Sequence, residues 1–166
     1  MNIRPYQQSD LDALYAINQQ STPGVGHEDS AGGLARWINL STCLVAVDNN
    51  EEPLGFITLL QPGTLAYDSQ NLRWFEAWLE GRDESLIYVD RIAIAETARG
   101  QNIGEKLYSA AFAAFAETDL IGCEVNTAPD NPGSHRFHQR LGFTQVGTRH
   151  YDEGRKGVAY YTRALK

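Results

Sequence analysis

Apolar positions along the chain recur with two different spacings, and each change of spacing marks a new element. Residues 2–5 read as a short strand. Ser9 opens a helix in which Asp12 completes a capping box, with Leu11, Leu14 and Tyr15 on one face. Residues 22–27 (TPGVGH) are a loop, and helical spacing resumes at Leu34, Trp37 and Ile38. Residues 43–47 and 54–60 read as two strands joined at Asp48-Asn49-Asn50, an antiparallel hairpin with Gly55 marking a bulge. In residues 61–82, Leu72, Phe75 and Leu79 share a helical face with Trp74 and Trp78 beside it. This reads either as a helix packed on a sheet or as an aromatic wall of a substrate pocket.

The longest strand pattern runs over residues 86–95. Leu86, Tyr88, Asp90, Ile92 and Ile94 alternate with Ile87, Val89, Arg91, Ala93 and Ala95, and both sets are mostly apolar, which predicts a central strand. Residues 102–116 read as a helix with Ile103, Leu107, Ala111, Ala114 and Phe115 inward, and residues 120–126 as another strand. Asn131 caps a short helix with Pro132 at its first position, Phe137 and Leu141 as anchors, and Gly142 as the left-handed residue that ends it. Residues 143–149 and 156–163 are strands around the Asp152-Glu153-Gly154 turn. The order βααββ(α)βαβαββ predicts an α/β (α+β) fold, a mixed sheet flanked by helices, with residues 1–166 expected to form a single domain.

Composition changes this picture only at its margins. A formal charge of −7 argues against a nucleic-acid partner and leaves a surface suited to cationic partners such as amines. Cys43 and Cys123 sit in apolar strand-like runs without metal-ligand spacing, so two reduced core thiols and no metal are expected. No apolar run reaches about 18 residues. The opening MNIRPYQQSD has no apolar leader, so a soluble, cytoplasmic protein without a membrane partner is expected.

Chemistry concentrates in residues 89–104, VDRIAIAETARGQNIG. A strand ends in a loop that enters a helix through Arg99, Gly100, Gln101, Asn102, Ile103 and Gly104. The first N–H groups of a helix lack intrahelical partners and carry partial positive charge, so this junction can hold a phosphate. A second segment, TAPDNPGSHRFHQRLGF, follows.

Together the two segments resemble the GNAT superfamily of acyl-CoA-dependent N-acyltransferases. Ile92-Ala93-Ile94 matches the family's strand end. Residues 99–104 match its Q/R-x-x-G-x-G/A pyrophosphate loop, except that Asn102 stands where glycine is usual; Asn tolerates left-handed backbone better than most residues. Asn131, Phe137, Leu141, Gly142 and Phe143 match the later motif, and Asn126 is frequent in the family. The resemblance implies a mostly antiparallel sheet with an acyl-CoA slot between two splayed parallel strands, and acetyl-CoA as acyl donor to a small-molecule or peptide amine by direct attack. The Ile92 N–H would meet the thioester oxygen. His138 occupies the position where many members have a Tyr acid, and it could instead bind the cofactor or a neighbouring backbone group. Asp90 and Glu124 are the carboxylates for general-base work, with a structural ion pair between Asp90 and an Arg as the competing reading. His135 reads as a surface residue. The other functional reading is a non-catalytic acyl-CoA-binding module, supported by Asn102 and His138. Residues 23–40, 61–82 and 150–156 are expected to shape the acceptor pocket, and Trp74 and Trp78 could serve a homodimer.

Overall fold

The computed structural model describes all 166 residues. The elements are β1 (Asn2–Pro5), α1 (Leu11–Gln20), α2 (Ala31–Leu40), β2 (Thr42–Val47), β3 (Pro53–Leu60) and α3 (Gln70–Trp78), then β4 (Leu86–Ile94), α4 (Ile103–Ala114), β5 (Leu120–Ala128), α5 (Pro132–Arg140), β6 (Thr144–Tyr151) and β7 (Lys156–Ala164). One seven-stranded sheet runs in the order β1-β2-β3-β4-β5-β7-β6, with β4 at its centre as its two-sided apolar pattern predicts. All neighbours are antiparallel except β4 and β5.

That parallel pair is brief. Leu86, Ile87 and Tyr88 pair with Leu120, Ile121 and Gly122, and there the pairing stops. Beyond it one edge of β4 has no strand neighbour, while β5 continues beside β7 as far as Ala128. The splay implied by the family resemblance is present.

β4 departs from strict alternation at one residue. Thr58 pairs with Arg91 and Leu59 with Val89, so Asp90 is the extra residue of a bulge. Each residue after a bulge changes face. Ile92 therefore packs with Ile87 and Val89 in the core under α4, and Ala93 packs with Phe56 under α1 and α2. The expected grouping of Ile92 and Ile94 with Leu86 and Tyr88 is corrected by this single inserted residue. The bulge expected at Gly55 falls beside it: Ala46 pairs with Gly55 and Val47 with Pro53, leaving Leu54 out. Gly55 is required by close approach, since a Cβ there would stand 2.8 Å from the Ala93 carbonyl oxygen.

The first helix also starts differently. Asp10, not Asp12, holds its entry, accepting the Gln7 N–H at 2.8 Å while both carboxylate oxygens take Arg4 from β1. The permanent guanidinium selects the acid it can reach. α3 is a helix on the sheet, as one of its two readings had it. Trp74 stacks on Tyr160 of β7 with ring centroids 3.8 Å apart, and Phe75 lies edge-on to the same ring at 5.5 Å. Trp74 is thereby committed within the chain rather than free for a dimer. Both cysteines are buried and unpaired.

α3 can press this closely because Gly122, at the last rung before the splay, carries no side chain; a Cβ there would stand 2.8 Å from the Phe75 ring. Gly122→Val is expected to lower unfolding free energy by about 1–3 kcal/mol through overpacking, measured by urea denaturation.

Candidate active site

Where β4 and β5 part, a cavity of about 500 Å³ opens between them, flanked by α4, α5 and the loop after α1. Among the residues expected at the site, Asp90, Ile92, Ala93, Ile94, Arg99, Gly100, Asn102, Ile103, Gly104, Glu124, Asn126, Asn131, Phe137 and His138 line it. Gln101 does not; it is exposed outside the cavity wall. The sequence reading missed Tyr108, Cys123, Ser134 and Ser21, whereas Gly24 and Val25 fall in the 23–40 stretch expected to shape the acceptor pocket. Tyr108 reads as one more residue of a helix stripe, and the loop reaches the slot only through folding, where Pro23 accepts the Asn126 side-chain N–H at 3.1 Å.

One end of the cavity is the start of α4. Asn102 adopts the left-handed conformation, φ 60° and ψ 26°, so it supplies the geometry that glycine usually provides there. Its side chain does not cap the helix. The N-termini of α2, α3 and α5 are capped by Ser30, Ser69 and Asn131. The opening amides of α4 thus remain available to an anion, supported by the helix dipole. Gly104 serves a second purpose: a Cβ there would stand 3.0 Å from the tip of Phe137, so this glycine lets α4 and α5 close around the slot.

The middle of the cavity holds the two carboxylates, which have different partners. Asp90 is bound by Arg91 at 2.8 Å, the ion pair that competed with its base role. Arg91, 7% exposed, also reaches Glu28 at 3.2 Å, Asn18 at 3.0 Å and the Tyr67 hydroxyl at 3.2 Å. Glu124 has no cation. It is part-buried and accepts the Tyr88 O–H at 2.7 Å and an Asn71 N–H at 3.1 Å. Burial pushes its pKa up from 4.5 to about 8; the Tyr88 and Asn71 hydrogen bonds oppose this and the nearby Asp90 adds to it.

His138 is 3% exposed and packed among the rings of Tyr108, Phe137 and Phe143. Burial lowers its pKa, so the ring rests neutral. Nδ1 donates to the Ser134 carbonyl at 2.8 Å, and Nε2 accepts the Tyr108 O–H at 2.7 Å. His135 is not a free surface residue. It accepts the Tyr161 O–H at 2.7 Å and donates to the Asn126 carbonyl at 2.9 Å, tying α5 to β5 and β7.

A model of the acetyltransferase (GNAT) family matches residues 11–143. The chain is 39% identical over 79 residues to a phosphinothricin N-acetyltransferase of Streptomyces coelicolor, in an alignment covering 45% of this chain and 46% of that protein. The matched stretch thus spans about half the length of that relative. An N-acetyltransferase structure from Staphylococcus aureus Mu50 superposes with TM-score 0.73 at 20% identity, covering 99% of this chain and 98% of that one. A GNAT superfamily phosphinothricin acetyltransferase from Sinorhizobium meliloti, in complex with AcCoA, superposes with TM-score 0.72 at 20% identity over 99% and 88%. These structures share the fold.

The raised pKa of Glu124 has a consequence for stability. Between pH 4.5 and about 8 the folded chain keeps a proton that the unfolded chain releases, so this group costs stability progressively as pH rises through that window and no further above it. Glu124→Gln is expected to raise the melting temperature more at pH 8 than at pH 5, measured by calorimetry at both.

Proposed function

The chain belongs to the acetyltransferase (GNAT) family, and on that premise we propose that it transfers an acetyl group from acetyl-CoA to a primary amine of a small molecule, with both substrates bound together. One observation carries the reading: a single cavity joins the uncapped N-terminus of α4 to the cation-free carboxylate of Glu124. The cavity residues suit acetyl-CoA, because the α4 amides can donate to pyrophosphate oxygens and the unpaired edge of β4, Ile92 included, offers main-chain groups to an amide-bearing arm. The cosubstrate supplies an acyl group activated by its thiol leaving group.

The rest is the protein's. Glu124 takes the proton from the acceptor ammonium or amine, for which a pKa near 8 is well matched. Asp90, neutralised by Arg91, shapes the acceptor end of the cavity. The Ile92 N–H stabilises the oxygen on which charge develops. Tyr108, positioned by Nε2 of the neutral His138, gives its O–H proton to the departing sulfur, and the phenolate left behind is reprotonated by the proton that Glu124 has taken from the amine, carried through solvent. The likeness to a phosphinothricin N-acetyltransferase supports a small-molecule acceptor.

Incubation with acetyl-CoA and a panel of amines that includes phosphinothricin, followed by release of free thiol, is expected to show turnover. Tight acetyl-CoA binding by calorimetry without transfer to any amine would overturn the reading in favour of a binding module. Glu124→Gln is expected to lower kcat by roughly 10²–10⁴-fold with acetyl-CoA affinity unchanged. His138→Phe is expected to lower kcat while the acetyl-CoA dissociation constant holds; equal losses in both would assign His138 to cofactor binding. Asn102→Val is expected to weaken acetyl-CoA binding, since a β-branched residue is strained in the left-handed conformation, whereas Asn102→Gly is expected to preserve it.

A further inference from the structure

We infer that Asn71 of α3 is a positioning residue for the base, its amide locked by Tyr160 so that it always offers an N–H to Glu124. The inference rests on Glu124 being the base. The chain of contacts is Tyr160 Oη to Asn71 Oδ1 at 2.7 Å, then Asn71 Nδ2 to Glu124 Oε1 at 3.1 Å, while Tyr88 Oη reaches Glu124 Oε2 at 2.7 Å.

Direction is what matters in this chain. An amide has a donor end and an acceptor end, and nothing in Asn71 alone decides which faces Glu124. Turned the other way, its oxygen would oppose a carboxylate oxygen and favour the protonated acid. Tyr160 decides it by donating to Oδ1. The amide is thus held from both ends, its oxygen on the Tyr160 O–H and its N–H on the carboxylate. The result is a Glu124 with a donor on each oxygen and a lone pair left for the substrate's proton.

The groups that bear on Glu124 come from every side. Tyr88 and Asp90 face it from β4, Cys123 lies beside it on β5, Tyr108 approaches from α4, and Tyr160 from β7 with Arg149 behind it on β6; α5 brings His138 to the same cavity. Asp90 is the one other carboxylate among them, and it is held by Arg91. Burial and Asp90 therefore push Glu124 toward the neutral acid, and Tyr88 and Asn71 hold it toward the ionised base. α3 lies within a stretch of irregular sequence pattern, which explains why the residue carries no motif of its own.

The test uses Asn71→Leu, which keeps size and removes both amide ends, and Tyr160→Phe, which keeps the ring stacked on Trp74 and removes one oxygen. Two quantities are followed: the titration of the Glu124 side-chain carboxyl by carbon NMR in the unliganded protein, and the pH profile of kcat/KM. Both midpoints are expected to rise together, by roughly 0.5–1 pH unit in Asn71→Leu and by less in Tyr160→Phe. An unchanged NMR midpoint in folded Asn71→Leu would overturn the inference. A raised NMR midpoint with an unmoved kinetic profile would uphold the role of Asn71 toward Glu124 and overturn Glu124 as the base.

Discussion

The short parallel pairing of β4 with β5 is the constraint on which the site depends. Three rungs, ending at Tyr88 and Gly122, fix the relative register of the strands, and their early end opens the space beyond. Had the ladder continued, the edge of β4 from residue 89 onward would have bonded to β5 and no slot would exist. Had it been absent, nothing would set the register between the strands that carry Asp90 and Glu124. The bulge at Asp90 falls just past the last rung and turns Arg91 toward α1 and the loop that follows it, where Asn18 and Glu28 receive it.

Two carboxylates on adjacent strands would repel one another in so confined a space if both were ionised without partners. The fold separates them by the kind of partner each has. Asp90 faces a permanent cation that is itself shared with Glu28, so its charge is neutralised in place. Glu124 faces only neutral donors, so its proton affinity follows burial and stays within range of an amine. A pair of like groups in unlike surroundings is how one fold assigns distinct tasks to identical chemistry.

α4 and α5 meet the slot as a joined unit. Gly104 admits Phe137, and Tyr108 and His138 bond across the same contact inside a cluster of aromatic rings. An imidazole so enclosed is held in one tautomer by Ser134 on one side and Tyr108 on the other. Packing of this kind keeps side-chain geometry fixed to the precision that proton transfer requires.

Most of the element order, the central place of β4 and the loop at residues 99–104 were legible in the chain itself. Each depends on local rules: apolar period, caps such as Asn131, and the left-handed tolerance of Asn102 and Gly142. Those rules act over a few residues, so they survive without knowledge of the fold. Asp90, Glu124 and His138 could be named from residue type and order, but not their states. That Arg91 is held by Asn18 and Glu28 as well as by Asp90 while Glu124 is free of cations, that the faces of β4 invert at Asp90, and that Asn71 reaches Glu124 across 53 positions of sequence all follow from pairing between distant segments. Proton affinity and hydrogen-bond direction are properties of surroundings. Only the packed sheet, by excluding water and bringing α3 and β7 against Glu124, decides them.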